Sequence, residues 1–211
     1  MALRGACDHD RQKGITMQTT TLSFDNFHQF GALFSNMLRA RHRTFIEEKG
    51  WNIPSEQGME FDQYDTAQSR WVCVHDGGRV LAGVRLTPTT ARCGVYSYMV
   101  RDAQRGLLDS IPANLLDDPA PIADHIWDAN RLFVAEGVST DIRRDVQMSL
   151  MGHMVRSARA LGATTLLGLL PIGIPRLGRR LGIDMEPGGP VMKIGGVAHR
   201  CYFVSMASKM H

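Results

Sequence analysis

Two β-prone runs joined by Asp76-Gly77-Gly78 constrain this chain more than any other stretch. Residues 69–75 (SRWVCVH) and 79–88 (RVLAGVRLTP) are rich in branched and aromatic side chains. The Asp-Gly-Gly link between them is a hairpin signal. Period two places Arg85 on the face of Leu81 and Gly83, away from Ala82, Val84 and Leu86. An arginine in so apolar a strand sits either at an exposed edge or paired in a pocket. The pocket is favoured, because a buried guanidinium needs an acid and the preceding loop carries two, Asp62 and Asp65.

The rest of the chain supplies partners for this hairpin. Residues 18–24 read as a first strand. Asp25 or Asn26 is expected to cap a helix whose apolar stripe runs Phe27, Phe30, Leu33, Phe34, Met37, Leu38, Phe45. Residues 89–125 are mixed, with a short strand expected near 94–99 and a helical turn near 103–108. Residues 125–137 (HIWDANRLFVAEG) form a third clear strand. Residues 141–161 form a helix buried through Val146, Leu150, Met154, Val155, Ala158 and Leu161 and closed by Gly162. The fully apolar run 164–171 predicts a central strand. A short basic helix (173–182) and a hairpin (190–194 and 199–206 about Gly195-Gly196) complete the chain. This order predicts a mixed sheet with helices on its faces. One domain is expected over 18–211, preceded by a disordered extension over 1–17.

Residues 41–65 concentrate the groups that carry chemistry. Arg41 and Phe45 are four apart and share a helix face; Trp51 follows the helix-stopping Gly50, where it can fold back over that face. With Asp62 and Asp65, one segment offers a guanidinium, two aromatic surfaces and two carboxylates. That set suits a small zwitterion carrying a cation. The plainer alternative is a solvated helix end with a charged loop. Farther on, Asp128 and Arg131 are three apart, so a regular strand would point them to opposite faces. A β-bulge between them would turn both toward one site.

Other chemistries are not indicated. A formal charge of +3 gives no global reason for nucleic-acid binding. Cys7, Cys73, Cys93 and Cys201 are scattered and form no metal-binding pattern, which suits free thiols in a cytoplasm. No run has the length of a membrane span, and the first sixteen residues lack a signal peptide's apolar core. No G-x-S-x-G elbow, P-loop, H-E-x-x-H or glycine-rich strand-to-helix turn occurs. What is left is a site of isolated charged groups around a sheet, without metal or covalent nucleophile. Such a site suits direct transfer between two bound substrates.

The ordered set Arg41, Phe45, Trp51, Asp62, Asp65, Arg85, Asp128, Arg131 resembles the acyl-homoserine-lactone synthases, the LuxI-type autoinducer synthases of quorum sensing. The resemblance covers the chain from about residue 18 onward. One position departs from the family, which usually carries Glu where this chain has Asp128. The resemblance implies a GNAT-like αβα sandwich, with a V-shaped split in a mostly antiparallel sheet. It implies no cofactor and two substrates: S-adenosylmethionine, and an acyl chain carried by acyl-carrier protein or coenzyme A. It also implies acylation of the S-adenosylmethionine amine, then lactonisation with loss of methylthioadenosine.

Within that scheme Asp128 is the expected base. Asp62 and Asp65 would position the amine or orient Arg41 and Arg85, and Arg41 and Arg131 would shape the cleft in an ion-pair network. Phe45 and Trp51 would cover the sulfonium and adenine. Backbone N–H groups near Phe133 and Val134 would receive the thioester oxygen. The acyl pocket is expected among Leu132, Val134, Met148, Met151, Leu167, Gly168 and Leu169; ordinary core is the plainer reading of each. Gly168 stands where the family's 3-oxo producers tend to carry Thr or Ser, which implies an unsubstituted chain. Arg143, Arg144, Arg176, Arg179 and Arg180 are the expected carrier-protein surface, or else a solvated helix face. Two rivals remain: a GNAT-type N-acyltransferase for another amine, and a non-catalytic acyl or carrier-protein binding module.

Overall fold

The structure is a computed structural model that describes residues 15–180 and 182–206. The extension expected over 1–17 lies outside those residues up to residue 14. The strands are β1 (Gln18–Leu22), β2 (Ser55–Glu56), β3 (Met59–Glu60), β4 (Arg70–Asp76), β5 (Arg79–Pro88), β6 (Ile126–Val134), β7 (Thr165–Pro171), β8 (Met185–Pro187), β9 (Met192–Ile194) and β10 (Val197–Ser205). The helices are α1 (Leu33–His42), α2 (Met99–Gln104), α3 (Thr140–Ala160) and α4 (Ile174–Arg180). The main sheet runs β1-β4-β5-β6-β7-β10-β8, with β9 beside β10. Every pairing in it is antiparallel except β6–β7.

Side-chain alternation along β4 sorts the layers. Val72 and Val74 join a core with Val146, Leu150 and Met154 of α3, whereas Trp71 and Cys73 join Leu33, Met37 and Ala40 of α1. The two helices therefore cover opposite faces, as a two-sided apolar sheet requires. A third core, around α2, includes Tyr98, Leu115, Leu167 and Cys201.

The single parallel junction shapes the site. β6 and β7 are in register only from Ile126–Thr165 to Asp128–Leu167 and then diverge, so the sheet splits just beyond Asp128. β6 is also bulged. Arg85 faces Asn130 and Gly83 faces Phe133, so Arg131 and Leu132 together oppose Val84. Arg131 takes the extra turn with φ +54°, a left-handed conformation uncommon for a residue with a Cβ.

Some elements differ from the sequence reading. The first helix does not start after Asn26: residues 27–30 make a 3₁₀ turn, Gly31 (φ +55°) breaks the path, and α1 begins at Leu33. Asn26 instead accepts the Ser23 N–H through its own Oδ1. The helix ends in a π-helical stretch, Arg43–Glu48. There Gly50 (φ +64°) lets the Trp51 N–H reach back to the Phe45 carbonyl at 2.9 Å. The strand expected at 94–99 is one bridge, Cys93–Tyr96, and the turn expected near 103–108 is α2, several residues earlier. Leu81 packs with Ala82, Val84 and Leu86, not on Arg85's face, because a bulge between β4 and β5 interrupts the alternation there.

Candidate active site

Arg85 is wholly buried, which settles the choice between edge and pocket. Its Nη1 lies 2.6 Å from Asp62 and 2.8 Å from Asp65. Asp65 also takes two hydrogen bonds from Arg41, at 2.7 and 2.9 Å. Arg41 donates to Glu60 at 2.5 Å, and Glu60 accepts from Arg131 at 3.1 Å. Arg131 returns to Asp62 at 2.8 Å. The six side chains thus form a closed ring in which every arginine lies between two carboxylates. The formal charges cancel, and charge-assisted pairing offsets the desolvation of six buried or nearly buried ions.

Local sequence explains the closure. Asp62 and Asp65 bracket a tight turn: the Asp65 side chain accepts the Asp62 N–H, the Asp62 side chain accepts the Tyr64 N–H, and the Trp71 indole N–H donates to Asp65. Burial pushes both carboxyls up. Burial is the largest single influence, but Arg85 together with Arg131 at Asp62, and with Arg41 at Asp65, outweighs it, and both are held below the usual range. The positive φ at Arg131 brings its guanidinium onto the face that Asp128 shares. Asp62 is thus held between Arg85 and Arg131, and Asp65 between Arg41 and Arg85.

Glu60 belongs to no motif in the sequence. The clue was its place two residues before Asp62, which in extended backbone gives a common face. Phe45 and Trp51 stack with centroids 5.0 Å apart, and Phe133 meets Phe45 edge-on at 5.9 Å. The Arg131 guanidinium lies 5.6 Å from the Phe45 centroid and 5.9 Å from that of Trp51. An aromatic surface and the ionic ring therefore share a border at Arg131.

Asp128 is not in the ring. It lies fully buried at the fork of the sheet. Its Oδ2 accepts a 2.8 Å hydrogen bond from Asn130, while Oδ1 has no hydrogen-bond partner among the described residues. Burial pushes its carboxyl up to about 7; Asn130, Arg85 and the Met99 backbone N–H only partly oppose that rise. Such a carboxylate suits proton transfer near neutrality.

Beyond the fork, a narrow and wholly apolar hollow of about 20 Å³ continues under α3. Leu132, Met151, Leu167 and Gly168 line it together with Ala129, Met154, Leu166 and Leu170. Val134, Met148 and Leu169 do not. Leu169 packs into the core around α2, which Leu167, two residues earlier on the same face of β7, also joins while still reaching the hollow at the fork. Phe133 and Val134 lie in register opposite Gly83 and Ala82, and the residues outside the register are Arg131 and Leu132.

Arg176 and Arg179 border a groove with Ile172, Pro175, Met185, Pro187 and Tyr202. Arg180, next to them on α4, is exposed. Arg143 on α3 instead acts on the Glu48 carboxylate, and Arg144 is exposed beside it in sequence. Among the described residues no cluster of His, Cys, Asp and Glu could hold a metal ion, and no helix is long and apolar enough to cross a membrane.

Comparison with known proteins gives the family. The family model for autoinducer synthases matches residues 27–196. The acyl-homoserine-lactone synthase of Ralstonia nicotianae is 31% identical over 161 residues, covering 74% of each chain. That of Acinetobacter nosocomialis is 27% identical over 179 residues, covering 82% of this chain and 90% of its own. The crystal structure of the synthase LasI shares the fold with a TM-score of 0.75 at 24% identity, over 93% of both chains. So does BjaI, a CoA-dependent acyl-homoserine-lactone synthase solved with SAM and isopentyl-CoA (TM-score 0.74, 21% identity, 92% of this chain and 85% of that one). The sandwich is accordingly GNAT-like, and the chain belongs to the autoinducer synthase family, with the activity of an acyl-homoserine-lactone synthase.

Proposed function

We propose that the substrates are S-adenosylmethionine and an acyl thioester of acyl-carrier protein or coenzyme A, and that Asp128 is the base. The observation that carries the assignment is the buried Asp128 carboxyl at the fork, with one oxygen unpartnered among the described residues and a proton affinity poised near neutrality. The likeness to BjaI, solved with SAM and an acyl-CoA, supports the substrate pair. The ammonium of S-adenosylmethionine cannot attack until it loses a proton, and Asp128 takes it directly or through one water. The freed amine adds to the thioester carbonyl, the C–S bond breaks, and the thiolate leaves as the thiol with the proton that the acylated nitrogen sheds. The methionine carboxylate then displaces sulfur from its own γ-carbon. The electron pair of that bond goes to the sulfonium, releasing neutral methylthioadenosine and closing the lactone.

The ring holds Arg131 against the aromatic pair, and Phe45 and Trp51 offer their faces to the sulfonium and adenine. The hollow under α3 takes the start of the acyl chain, with its methionines rearranging around longer ones. Arg176 and Arg179 present positive charge to an anionic carrier. The test is methylthioadenosine release from S-adenosylmethionine with acyl-carrier-protein and CoA thioesters of several lengths. Wild type releases it with at least one donor, and Asp128→Asn, folded by circular dichroism, releases it at least a hundredfold more slowly. Release by Asp128→Asn at the wild-type rate would remove Asp128 from the base's place.

A further inference from the structure

Arg85, Asn130 and Asp128 share one face of the sheet. Arg85 and Asn130 are directly opposed across β5–β6, and Asp128 is two residues from Asn130 on the same strand. Asn130 is buried, and its amide spans the two charged groups: Arg85 Nε donates to Oδ1 at 2.8 Å, and Nδ2 donates to Asp128 Oδ2 at 2.8 Å. Chemistry permits one orientation of that amide. A guanidinium N–H can only donate, so the carbonyl end must face Arg85 and the NH₂ end must face the carboxylate. Arg85 is itself pinned by Asp62 and Asp65. The polarity at Asp128 is therefore set by the ionic ring through one uncharged side chain.

We infer that Asn130 is a positioning residue for the acylation step, engaging Oδ2 of Asp128 so that Oδ1 is the oxygen left to accept the substrate's proton. This rests on Asp128 being the base. Both an acceptor and a donor are needed in a fixed order at a span of one amide, and Asn meets that need without adding charge between Arg85 and Asp128. The groups facing Asp128 from neighbouring elements are Arg85 on β5, Asp62 from the turn after β3, Tyr98 and the Met99 N–H at the start of α2, and Cys201 on β10. Burial, together with the Asp128 charge, holds the Tyr98 hydroxyl and the Cys201 thiol protonated through the neutral range. Arg85 and Asp62 keep their charges there as well. Asp128 is then the group among these that titrates near pH 7, which makes the acid limb of the rate profile a direct readout.

The experiment compares pH profiles of kcat and KM for wild type, Asn130→Ala and Asn130→Asp, with an independent titration of Asp128 by ¹³C carboxyl NMR. Removing the donated hydrogen bond moves the acid limb of kcat upward by about one pH unit. Asn130→Asp, which accepts from Arg85 but has no N–H to donate and adds a like charge, moves it farther still. KM for S-adenosylmethionine stays within about twofold, because ground-state binding does not use the amide. Limbs that coincide with wild type in both variants, or a uniform loss at every pH, would overturn the inference. The carboxyl titration must show the same ordering even where a variant turns over too slowly to assay. If Asp128→Asn remains active, the base assignment fails. If Asp128→Asn is dead and the Asn130 profiles do not move, only the role of Asn130 fails.

Discussion

Glu60 shows how much one buried side chain can hold. Both of its oxygens are engaged, one by Arg41 and one by Arg131, and it is entirely out of solvent. Replacing it with Gln leaves the shape but makes the ring net positive in a low-dielectric interior. The expected loss is about 3 kcal/mol or more of unfolding free energy, typical of breaking one partner out of a buried ion pair. Urea unfolding of Glu60→Gln against wild type measures it. The same variant should raise KM for S-adenosylmethionine, since Arg131 loses one of the two acids that hold it beside Phe45 and Trp51. A change under 0.5 kcal/mol would mean that the ring is exposed enough in solution for water to replace Glu60.

At the scale of elements, what governs the site is where β6 departs from regularity. Strand existence was readable, because HIWDANRLFV between turn signals has no other good interpretation. Its bulge could be invoked from the spacing of Asp128 and Arg131 but not located, since bulges are set by the partner strand and not by local composition. The fork has the same character. Three register pairs join β6 to β7, and the separation that follows comes from packing around α3 and α2. Gly168 sits at that point. A Cβ built there lies 2.9 Å from the Ala129 carbonyl oxygen, a backbone atom that cannot swing aside. Gly168→Ala is therefore expected to push β6 and β7 apart, with a stability loss of roughly 1–3 kcal/mol. It should also change the preferred acyl length in competition assays with mixed donors, because Gly168 and Ala129 both line the hollow. An unaltered melting temperature and chain preference would show that the fork relaxes freely. Missed elements had weaker signals. β8 is three residues long, and β2–β3 is a hairpin of two residues a side around Gln57 and Gly58, both at positive φ.

For the whole molecule, the two kinds of carboxylate pull stability in opposite directions with pH. Asp62 and Asp65 have depressed folded-state affinities for protons. Their contribution is complete above the unfolded carboxylate range and is lost as pH falls below about 4. The ring they complete joins α1, the turn after β3, β5 and β6, so its protonation loosens the sandwich on the α1 face. Asp128 works the other way. Its folded-state value is raised, to about 7, so the native state binds more protons than the unfolded chain between about 4 and 7. Stability must fall as pH rises through that window and level off above it, by roughly 4 kcal/mol at most if the whole shift is expressed. With Asp128 as the proposed base, activity rises across the same interval, so the enzyme is expected to be most stable at a pH where that carboxyl is still protonated. Thermal unfolding from pH 3 to pH 9 should show a maximum near pH 4–5 and a lower plateau above pH 8. Asp128→Asn should keep the acid-side loss while abolishing the fall toward neutrality, making it more stable than wild type at pH 8 and little different at pH 4. A wild-type curve that climbs to a plateau at neutral pH and coincides with that of Asp128→Asn would mean that Asp128 is ionised at little cost. The fork would then be wetter than its unpartnered oxygen indicates.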